Sequence, residues 1–357
     1  DYFNNSSNDR FSNIKIKIMP DNENIFYNKR ILIYGLGKSG ISAFKFLRNQ
    51  NELFLYDDKK IKTKTIEIKK KLINYKSLVK KKFDLIIISP GINIEQCKLR
   101  KFLKKNLKNI YTDLDIFFSF YGKNKNITIT GTNGKSTTAQ IIYEVLKKQR
   151  FDVRLAGNIG NPILLEKKIT NNTLFVIEAS SYQLEYSKIF KANISAILNI
   201  SSDHLERHKT LKNYIRSKFK LLKNQTKKDY ALLNANNFYI NQELKYKKFL
   251  PKIIKVNKKI NYSTLKKINN KYFMSEGNKE NLSFILQIIK IFKIKKDDLF
   301  KILHNFKGLK YRQQIIFRSK KLMIINDSKS TSFSSSESIL KSLSNVYWIV
   351  GGLAKKG

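Results

Sequence analysis

A lysine and three hydroxyl residues follow a glycine-rich turn in residues 127–138, which read Ile-Thr-Ile-Thr-Gly-Thr-Asn-Gly-Lys-Ser-Thr-Thr. The β-branched run before the turn predicts a strand, and the pattern of residues 139–148 predicts a helix. Backbone N–H groups of such a turn and the positive end of the helix dipole bind phosphate. Lys135 can reach the β- and γ-phosphates of a nucleotide, and the hydroxyl of Ser136 or Thr137 can bind Mg²⁺. ATP chemistry is therefore the leading hypothesis.

This loop departs from the common Walker A pattern, because Ile129 stands where that pattern has its first glycine. The alternative is an ordinary glycine turn followed by a surface lysine. The order of strand, turn, Lys-Ser-Thr and helix favours the phosphate loop.

Acidic and imidazole side chains follow two later predicted strands. Glu178 comes after residues 174–177, and Asp203 and His204 come after residues 194–200. Carboxyl ends of neighbouring parallel strands lie at one edge of a sheet, so we expect these groups to share a site with Lys135. Mg²⁺ prefers hard oxygen ligands, and Ser136 with Glu178 suits one such ion.

The composition is strongly basic, with 71 Lys and Arg residues against 27 Asp and Glu and a net charge of +44. A nucleic-acid or acidic-membrane partner is one interpretation of such a charge. The lysines are spread through every region, however, and zinc-finger spacing, basic-zipper heptads and an RNA-recognition signature are absent from the sequence. We interpret the charge as a compositional bias and expect no specific nucleic-acid partner.

Three further features bear on location. The single cysteine, Cys97, excludes an intrachain disulfide and fits a reducing compartment. The sequence contains no run of about 18 apolar residues, which a membrane-spanning helix would need. Residues 1–17 lack the apolar core of a signal peptide. We expect a cytoplasmic protein.

The first predicted unit is of the Rossmann βαβ type. Residues 30–34 and 53–56 predict buried strands that flank Gly-Leu-Gly-Lys-Ser-Gly at 35–40, and Asp57 ends the second strand. Such a turn binds a dinucleotide or a uridine diphosphate, or only closes a tight strand–helix junction. A later strand, 84–88, runs into Ser-Pro-Gly-Ile at the edge of the sheet where ligands bind.

Strands alternate with helices along the rest of the chain, which predicts an α/β fold with a mostly parallel sheet covered on both faces. We place domain junctions near residues 112 and 308. Residues 1–112 form the first domain, in which residues 1–28 include an extension if Met19 is the true start. Residues 113–307 form the central domain, whose Lys-rich part at 241–271 we interpret as solvated excursions. Residues 308–357 begin a third α/β unit with strands at 322–325 and 347–350.

The sequence resembles the Mur ligase family of ATP-dependent amide ligases from about residue 30 to its last residue. The family's own phosphate loop matches residues 130–137 and explains the missing glycine. Further blocks match in order at residues 157–160, 178–184 and 199–205. Tyr-Ile-Arg-Ser-Lys at 214–218 resembles the block with a carbamylated lysine, and Gly-Leu-Lys-Tyr-Arg at 308–312 resembles the junction block with an ATP-contacting arginine.

The outer domains are similar to those of the family member that adds D-glutamate. Residues 35–40, 89–92, 326–331 and 351–355 carry this likeness. Gly277 and Tyr311 depart from the family, which usually has His at both positions. The family's third domain continues well past the Gly-Gly block, so we expect this chain to be truncated at its C-terminus and almost inactive by itself.

The resemblance implies a three-domain architecture: an N-terminal Rossmann-like domain, a central P-loop ATPase-like domain and the start of a C-terminal Rossmann-like domain. It also implies that ATP activates the carboxylate of UDP-N-acetylmuramoyl-L-alanine for attack by D-glutamate in peptidoglycan precursor synthesis. The implied cofactors are ATP and Mg²⁺ at two sites, and a monomer is expected.

The residue roles are likewise implied by the matched blocks. Catalysis would depend on Lys135, His204 and a carbamylated Lys218. The implied ATP contacts are Gly131, Thr132, Asn133, Gly134, Lys135, Ser136, Thr137, Asn278, Asn281, Arg312, Asp327 and Lys329. The implied contacts with the UDP substrate are Ser39, Asp57, Gly91, Asn158 and Gln183, and those with D-glutamate are Thr331 and Lys355. Ser136 and Glu178 would hold one Mg²⁺, and His204 and Lys218 the other.

Three rivals remain open from the sequence. A folylpolyglutamate synthase-like ligase is the nearest. A basic nucleic-acid-dependent ATPase would show binding that falls steeply with salt. A nicotinamide oxidoreductase built on residues 35–57 leaves the loop around Lys135 unexplained.

Overall fold

The structure is a computed structural model that describes residues 24–352, except residues 60, 62–64, 258–259, 295, 320 and 331–332. Within the described residues the chain forms three sheets, which follow one another along the sequence and have four, six and two strands. The predicted α/β fold with mostly parallel sheets is confirmed.

The N-terminal sheet has the strand order β2-β1-β3-β4, and its strands are parallel. Its strands are β1 (Arg30–Tyr34), β2 (Glu52–Tyr56), β3 (Leu85–Ile88) and β4 (Ile110–Tyr111). Its helices are α1 (Lys38–Leu47), α2 (Ile66–Lys71), α3 (Tyr75–Lys80) and α4 (Arg100–Lys105). Residues 31–34 of β1 are completely buried, as expected of a parallel strand covered on both faces.

The central sheet has the order β10-β9-β8-β5-β7-β6 and is also parallel. Its strands are β5 (Asn126–Thr130), β6 (Val153–Gly157), β7 (Leu174–Glu178), β8 (Ile194–Ile197), β9 (Tyr230–Asn234) and β10 (Lys252–Val256). The helices of this region are α5 (Asp113–Tyr121), α6 (Lys135–Lys148), α7 (Ser181–Tyr186), α8 (Leu205–His208), α9 (Leu211–Phe219), α10 (Phe238–Tyr246), α11 (Tyr262–Ile268), α12 (Glu276–Ile291) and α13 (Lys296–Asn305). Strands β7 and β8 flank β5, so their carboxyl ends adjoin the phosphate loop.

The interpretation of residues 241–271 as solvated excursions is wrong. This segment contains β10, which pairs with β9 at the edge of the central sheet. Val256 and Ile268 are buried in the core. The high lysine content does not reveal these elements, because the lysines lie on the outer sides of an edge strand and two helices, where their charged ends reach water.

Helix α5 joins the first two sheets through one apolar core. The core cluster that contains Ile31 and Ile33 of β1 also contains Phe117 of α5 and Phe175 of β7. The rings of Phe117 and Phe175 lie 4.8 Å apart at a steep angle. The first two sheets therefore share one apolar core, to which α5 contributes.

The C-terminal part of the described chain is an antiparallel pair, β11 (Gln314–Arg318) and β12 (Met323–Asn326), followed by α14 (Phe333–Leu340). The predicted strand at 347–350 is absent, and Tyr347 and Ile349 are 98% and 96% exposed. An apolar run forms a strand only where a neighbouring strand pairs with its backbone, and no described strand lies beside this one. No helix in the described ranges is long and apolar enough to cross a membrane.

Candidate nucleotide and magnesium site

The phosphate loop connects β5 to the first turn of α6. Gly134 has a φ of +81°, and a Cβ at this position would lie 1.9 Å from Oδ1 of Asn281. Only glycine fits there, because the backbone is left-handed and a neighbouring side chain occupies the space. That Asn281 oxygen has no hydrogen-bond partner among the described residues.

A side-chain relay that sequence reasoning missed holds the loop. The backbone N–H of Asn133 donates to Oδ1 of Asn199 at 2.8 Å, and Nδ2 of Asn199 donates to Oε1 of Glu280 at 2.6 Å. The N–H of Thr132 donates to the Asn199 carbonyl at 2.9 Å. Helix α12, which carries Glu280, therefore fixes the loop through the end of β8.

Two ammonium groups meet at the carbonyl oxygen of Gly131. Lys135 Nζ donates to it at 2.9 Å and to the carbonyl of Thr132 at 2.8 Å. Lys218 Nζ, on α9, donates to the Gly131 oxygen at 2.7 Å, and Lys218 is only 1% exposed. Both cations face the loop to which phosphate oxygens would bind.

Burial shifts the proton equilibrium of both lysines. Desolvation lowers the pKa of Lys218 well below its ordinary value, and the nearby Lys135 ammonium lowers it further. Desolvation also lowers the pKa of Lys135, which the Glu178 carboxylate partly opposes. Lys218 therefore loses its proton and becomes a neutral amine more readily than a surface lysine does.

Ser136 and Glu178 form an oxygen pair beside the loop. Ser136 Oγ donates to Glu178 Oε2 at 2.7 Å, and Asn158 Nδ2 donates to Glu178 Oε1 at 2.9 Å. Glu178 is completely buried at the end of β7. A hydroxyl and a buried carboxylate next to a phosphate loop are the donor set that Mg²⁺ takes in nucleotide sites, so these residues fit the predicted ion.

His204 lies directly before α8. Its backbone is left-handed, with a φ of +55°, and its ring lies 6.2 Å from the ring of Tyr214. Lys218 Nζ lies 4.5 Å from the centre of that same Tyr214 ring. The structure thus brings His204 and Lys218 to one aromatic side chain.

The described residues contain no group of three or more His, Cys, Asp and Glu side chains arranged to hold a metal ion. A metal here would therefore also need hydroxyl, carbamate, phosphate or water oxygens. This agrees with Mg²⁺, which usually keeps several waters and binds substrate phosphates.

The predicted contacts from the third unit lie next to α12. Asn278 Nδ2 donates to Oε1 of Gln313 at 3.0 Å, and the N–H of Gln313 donates to Oδ1 of Asp327 at 3.0 Å. Burial, with a smaller contribution from the Asp327 carboxylate, raises the pKa of Tyr272 to about 12. The Tyr272 hydroxyl lies 3.4 Å from Oγ1 of Thr137.

The two remaining predicted nucleotide contacts are on the surface. Arg312 is exposed, and its charge acts on the pKa of both Lys135 and Tyr272. Lys329 is exposed, and its Nζ lies 6.0 Å from the ring centre of Tyr311. Thr331 and Lys355 lie outside the described residues.

Three of the five residues predicted to bind the UDP substrate, Ser39, Asp57 and Gly91, lie at the carboxyl edge of the N-terminal sheet. The other two belong to the central sheet region, with Asn158 directly after β6 and Gln183 on α7. Asp57 closes the glycine-rich turn, since its Oδ2 accepts from the N–H of Leu36 at 2.7 Å. A Cβ added at Gly91 would meet no atom within 4 Å. Both positions suit a ligand-binding loop.

Asp113 is a buried carboxyl that sequence reasoning missed. It lies between the predicted substrate contacts Ser39 and Gln183, and Gln183 Nε2 is 3.5 Å from its Oδ2. Burial raises the pKa of Asp113, and hydrogen bonds from Ser39 and Gln183 oppose this change. The signal available in the sequence was the position of Asp113 two residues after β4, a strand of the same sheet.

Comparison with known proteins shows to which family the chain belongs. The Mur ligase middle domain matches residues 129–301, and the Mur ligase MurD-like N-terminal domain matches residues 29–110. The chain belongs to the Mur ligase family.

Two relatives carry the same name. The UDP-N-acetylmuramoylalanine–D-glutamate ligase of Rickettsia prowazekii is 33% identical in an alignment that covers 94% of this chain and 79% of that protein. The enzyme of that name from Caldicellulosiruptor bescii is 30% identical in an alignment that covers 92% of this chain and 78% of the relative. The predicted family membership is confirmed.

Among solved structures, the MurF ligase of Thermotoga maritima in complex with ADP aligns with a TM-score of 0.50 and 14% identity. The alignment covers 91% of this chain and 76% of that one. This likeness supports the multi-domain Mur ligase fold. The junctions near residues 112 and 308 stay a prediction.

Proposed function

We propose that this chain is an ATP-dependent ligase of peptidoglycan precursor synthesis that joins D-glutamate to UDP-N-acetylmuramoyl-L-alanine. The observation that carries the proposal is the meeting of Lys135 and Lys218 at the Gly131 carbonyl, beside the Ser136–Glu178 pair. The two relatives named above and the MurD-like match to residues 29–110 support the choice of substrates.

The reaction needs a leaving group, because a carboxylate has none that departs readily. An oxygen of the substrate carboxylate forms a bond to the γ-phosphorus of ATP, and the bond from that phosphorus to the bridging oxygen breaks to release ADP. The amine nitrogen of D-glutamate then attacks the acyl carbon. It loses a proton, and phosphate departs with the C–O electron pair, which leaves the amide.

The protein's task is to neutralise charge and fix positions, since every reactant is an anion. Lys135 would leave its two loop carbonyls and bind the β- and γ-phosphate oxygens, while the N–H groups at the start of α6 hold the remaining oxygens. Asn199 and Glu280 would keep the loop rigid during this exchange. Arg312, Asp327 and Lys329 would bind the nucleotide from the third unit.

Ser136 and Glu178 would hold one Mg²⁺, and His204 with a carbamylated Lys218 would hold a second. When bound, these ions supply positive charge to the phosphate and carboxylate oxygens. Carbamylation joins the neutral Lys218 amine to the carbon of CO₂ with loss of a proton, and it turns a cation into an anionic oxygen ligand. The lowered pKa and complete burial of Lys218 support this modification.

The substrate would lie between the first two sheets. Ser39, Asp57 and Gly91 would bind the uridine diphosphate group, with Asn158 and Gln183 reaching from the central sheet. Thr331 and Lys355 would contact D-glutamate. Because the reaction consumes ATP, we place it in the cytoplasm.

Three measurements test separate parts of the proposal. Titration calorimetry with AMP-PNP and Mg²⁺ tests the nucleotide site, and hydroxylamine trapping of the activated carboxylate tests the first chemical step without D-glutamate. Phosphate release from ATP with UDP-N-acetylmuramoyl-L-alanine, measured across a panel of amino acids, then tests the amine. A requirement for L-lysine or diaminopimelate in place of D-glutamate would refute the substrate assignment.

A further inference from the structure

Tyr182 contacts His204 directly, although no role described above uses it. The hydroxyl of Tyr182, on α7, lies 2.9 Å from Nδ1 of His204. The same hydroxyl lies 3.3 Å from Oε1 of Glu206, and that carboxylate oxygen is 3.5 Å from the same ring nitrogen. The Tyr182 hydroxyl and the Glu206 carboxylate therefore both lie beside the same imidazole nitrogen, Nδ1.

The hydrogen-bond donors and acceptors of Tyr182, Glu206 and His204 determine which ring nitrogen carries the imidazole proton. A carboxylate only accepts hydrogen bonds, so the one phenolic proton of Tyr182 is best used on Glu206. The Tyr182 oxygen then accepts a hydrogen bond, and the group that can donate is Nδ1–H of His204. With the opposite tautomer, a bare nitrogen lone pair would face the Glu206 carboxylate.

The other ring nitrogen, Nε2, is left open by this arrangement. Its nearest carboxylate oxygen, Oδ2 of Asp203, is 3.4 Å away, which is longer than an ordinary N–H···O bond. The other oxygen of Asp203 is occupied by the backbone N–H of His204 at 2.9 Å. The two ring nitrogens of His204 therefore have different neighbours, with Tyr182 and Glu206 beside Nδ1 and only Asp203 beside Nε2 among the described carboxylates and hydroxyls.

We propose that Tyr182 is a positioning residue that, together with Glu206, holds His204 as the Nδ1–H tautomer and leaves Nε2 free to bind a divalent cation. This inference rests on the proposed function, in which His204 is a Mg²⁺ ligand. Groups that contact a metal-binding histidine through its second nitrogen commonly change metal affinity by about 10- to 100-fold when removed. Tyr182 would do so without touching substrate or metal.

The chain has only three histidines, so their ring nitrogens can be resolved by NMR in the full chain labelled with ¹⁵N-histidine. The test variant is Tyr182→Phe, which keeps the ring and removes one oxygen. The matched control is Tyr186→Phe on the same helix. Both rings pack against Arg207, at 5.1 and 5.7 Å, so the control reports any structural effect of losing a hydroxyl from α7.

At pH 8 and without metal, we expect His204 of the wild type and of Tyr186→Phe to carry its proton on Nδ1, and His204 of Tyr182→Phe to move towards the Nε2–H form. A wild-type His204 protonated on Nε2, or a tautomer that Tyr182→Phe leaves unchanged, would overturn the proposal.

The second readout uses Mn²⁺ as the probe, with AMP-PNP present. Electron spin echo spectroscopy detects the ¹⁴N nucleus of an imidazole bound to Mn²⁺. We expect this signal in the wild type and in Tyr186→Phe, and its loss or strong reduction in Tyr182→Phe. An unchanged signal in Tyr182→Phe refutes the role of Tyr182. A wild type without any ¹⁴N signal refutes instead the role of His204 as a metal ligand in the proposed function.

Discussion

His208 gives this protein a stability that depends on pH. It is the last residue of α8 and is 4% exposed. Its Nε2 lies 3.0 Å from Ser181 Oγ, and its ring packs against the rings of Tyr182 and Tyr214 at 5.6 and 5.3 Å. Burial, followed by the positive charge of Arg207, lowers the pKa of His208 from 6.5 to about 4.

The sign of the effect follows from proton binding. The unfolded chain protonates this imidazole near pH 6.5, whereas the folded chain resists protonation until about pH 4. Between these values the unfolded state binds more protons, so stability falls as the pH is lowered. For a change from pH 7.5 to 4.5, these two pKa values correspond to a loss of roughly 2–3 kcal/mol from this one residue.

The measurement is the free energy of unfolding in urea at pH 7.5 and pH 4.5, for the wild type and for His208→Gln. Many carboxylates also titrate in this range, so the informative quantity is the difference between the two proteins in how much stability each loses. We expect the wild type to lose roughly 2–3 kcal/mol more than the variant, which cannot protonate at this position. Equal losses would show that His208 is not held neutral in the folded protein.

Three further substitutions test the phosphate loop, the Ser136–Glu178 pair and the buried carboxylate of Asp115 on α5. Gly134→Ala forces a Cβ into the Asn281 amide at a left-handed backbone position, so we expect at least a tenfold loss of AMP-PNP affinity by calorimetry. Gly37→Ala, which meets no atom within 4 Å, serves as the control, and equal affinity in both variants would contradict this reasoning. Ser136→Ala removes the hydroxyl beside Glu178, so Mg²⁺ should strengthen AMP-PNP binding far less than in the wild type. The control Thr138→Val loses only a hydroxyl without a described partner and should keep the Mg²⁺ effect. If Ser136→Ala also keeps it, the oxygen pair does not bind the ion. Asp115→Asn replaces a buried carboxylate whose two oxygens accept hydrogen bonds from Ser187, Thr112 and the N–H groups of residues 188–190. We expect the free energy of unfolding in urea to fall by about 3 kcal/mol or more. The control Asp297→Asn, at an exposed position, should change it little. A fall below about 1 kcal/mol for Asp115→Asn would contradict this account.

The parts of the fold that local sequence specifies were predictable. The strand, turn and helix around Lys135 are contiguous, and glycine placement and β-branched periodicity encode them without reference to the rest of the chain. The same holds for the βαβ unit of β1, α1 and β2. In each case the pattern of apolar side chains and the turn residues agree with the same local structure.

Prediction failed where structure depends on a partner strand. Residues 252–256 are rich in lysine but become β10, because β9 offers a free edge to pair with. Residues 347–350 have the composition of a strand, yet they remain exposed because no described strand pairs with them. Strand composition describes a surface that can pair, and it does not say whether a partner is present.

For the candidate site, the sequence by itself determined the residue types and their local settings. It supplied a phosphate loop, an acid at the end of β7, a histidine after β8 and a lysine four residues after Tyr214. Tertiary structure decided which of these groups meet. Lys218 donates to the carbonyl of Gly131, which lies 87 residues earlier in the chain. Only the tertiary structure shows the contacts of Asn199, Glu280, Asp113 and Tyr182. The physical reason is that local periodicity fixes the conformation and burial of each element, whereas the distance between two side chains on different elements is set by the order of strands in the sheet and by how the helices pack against it.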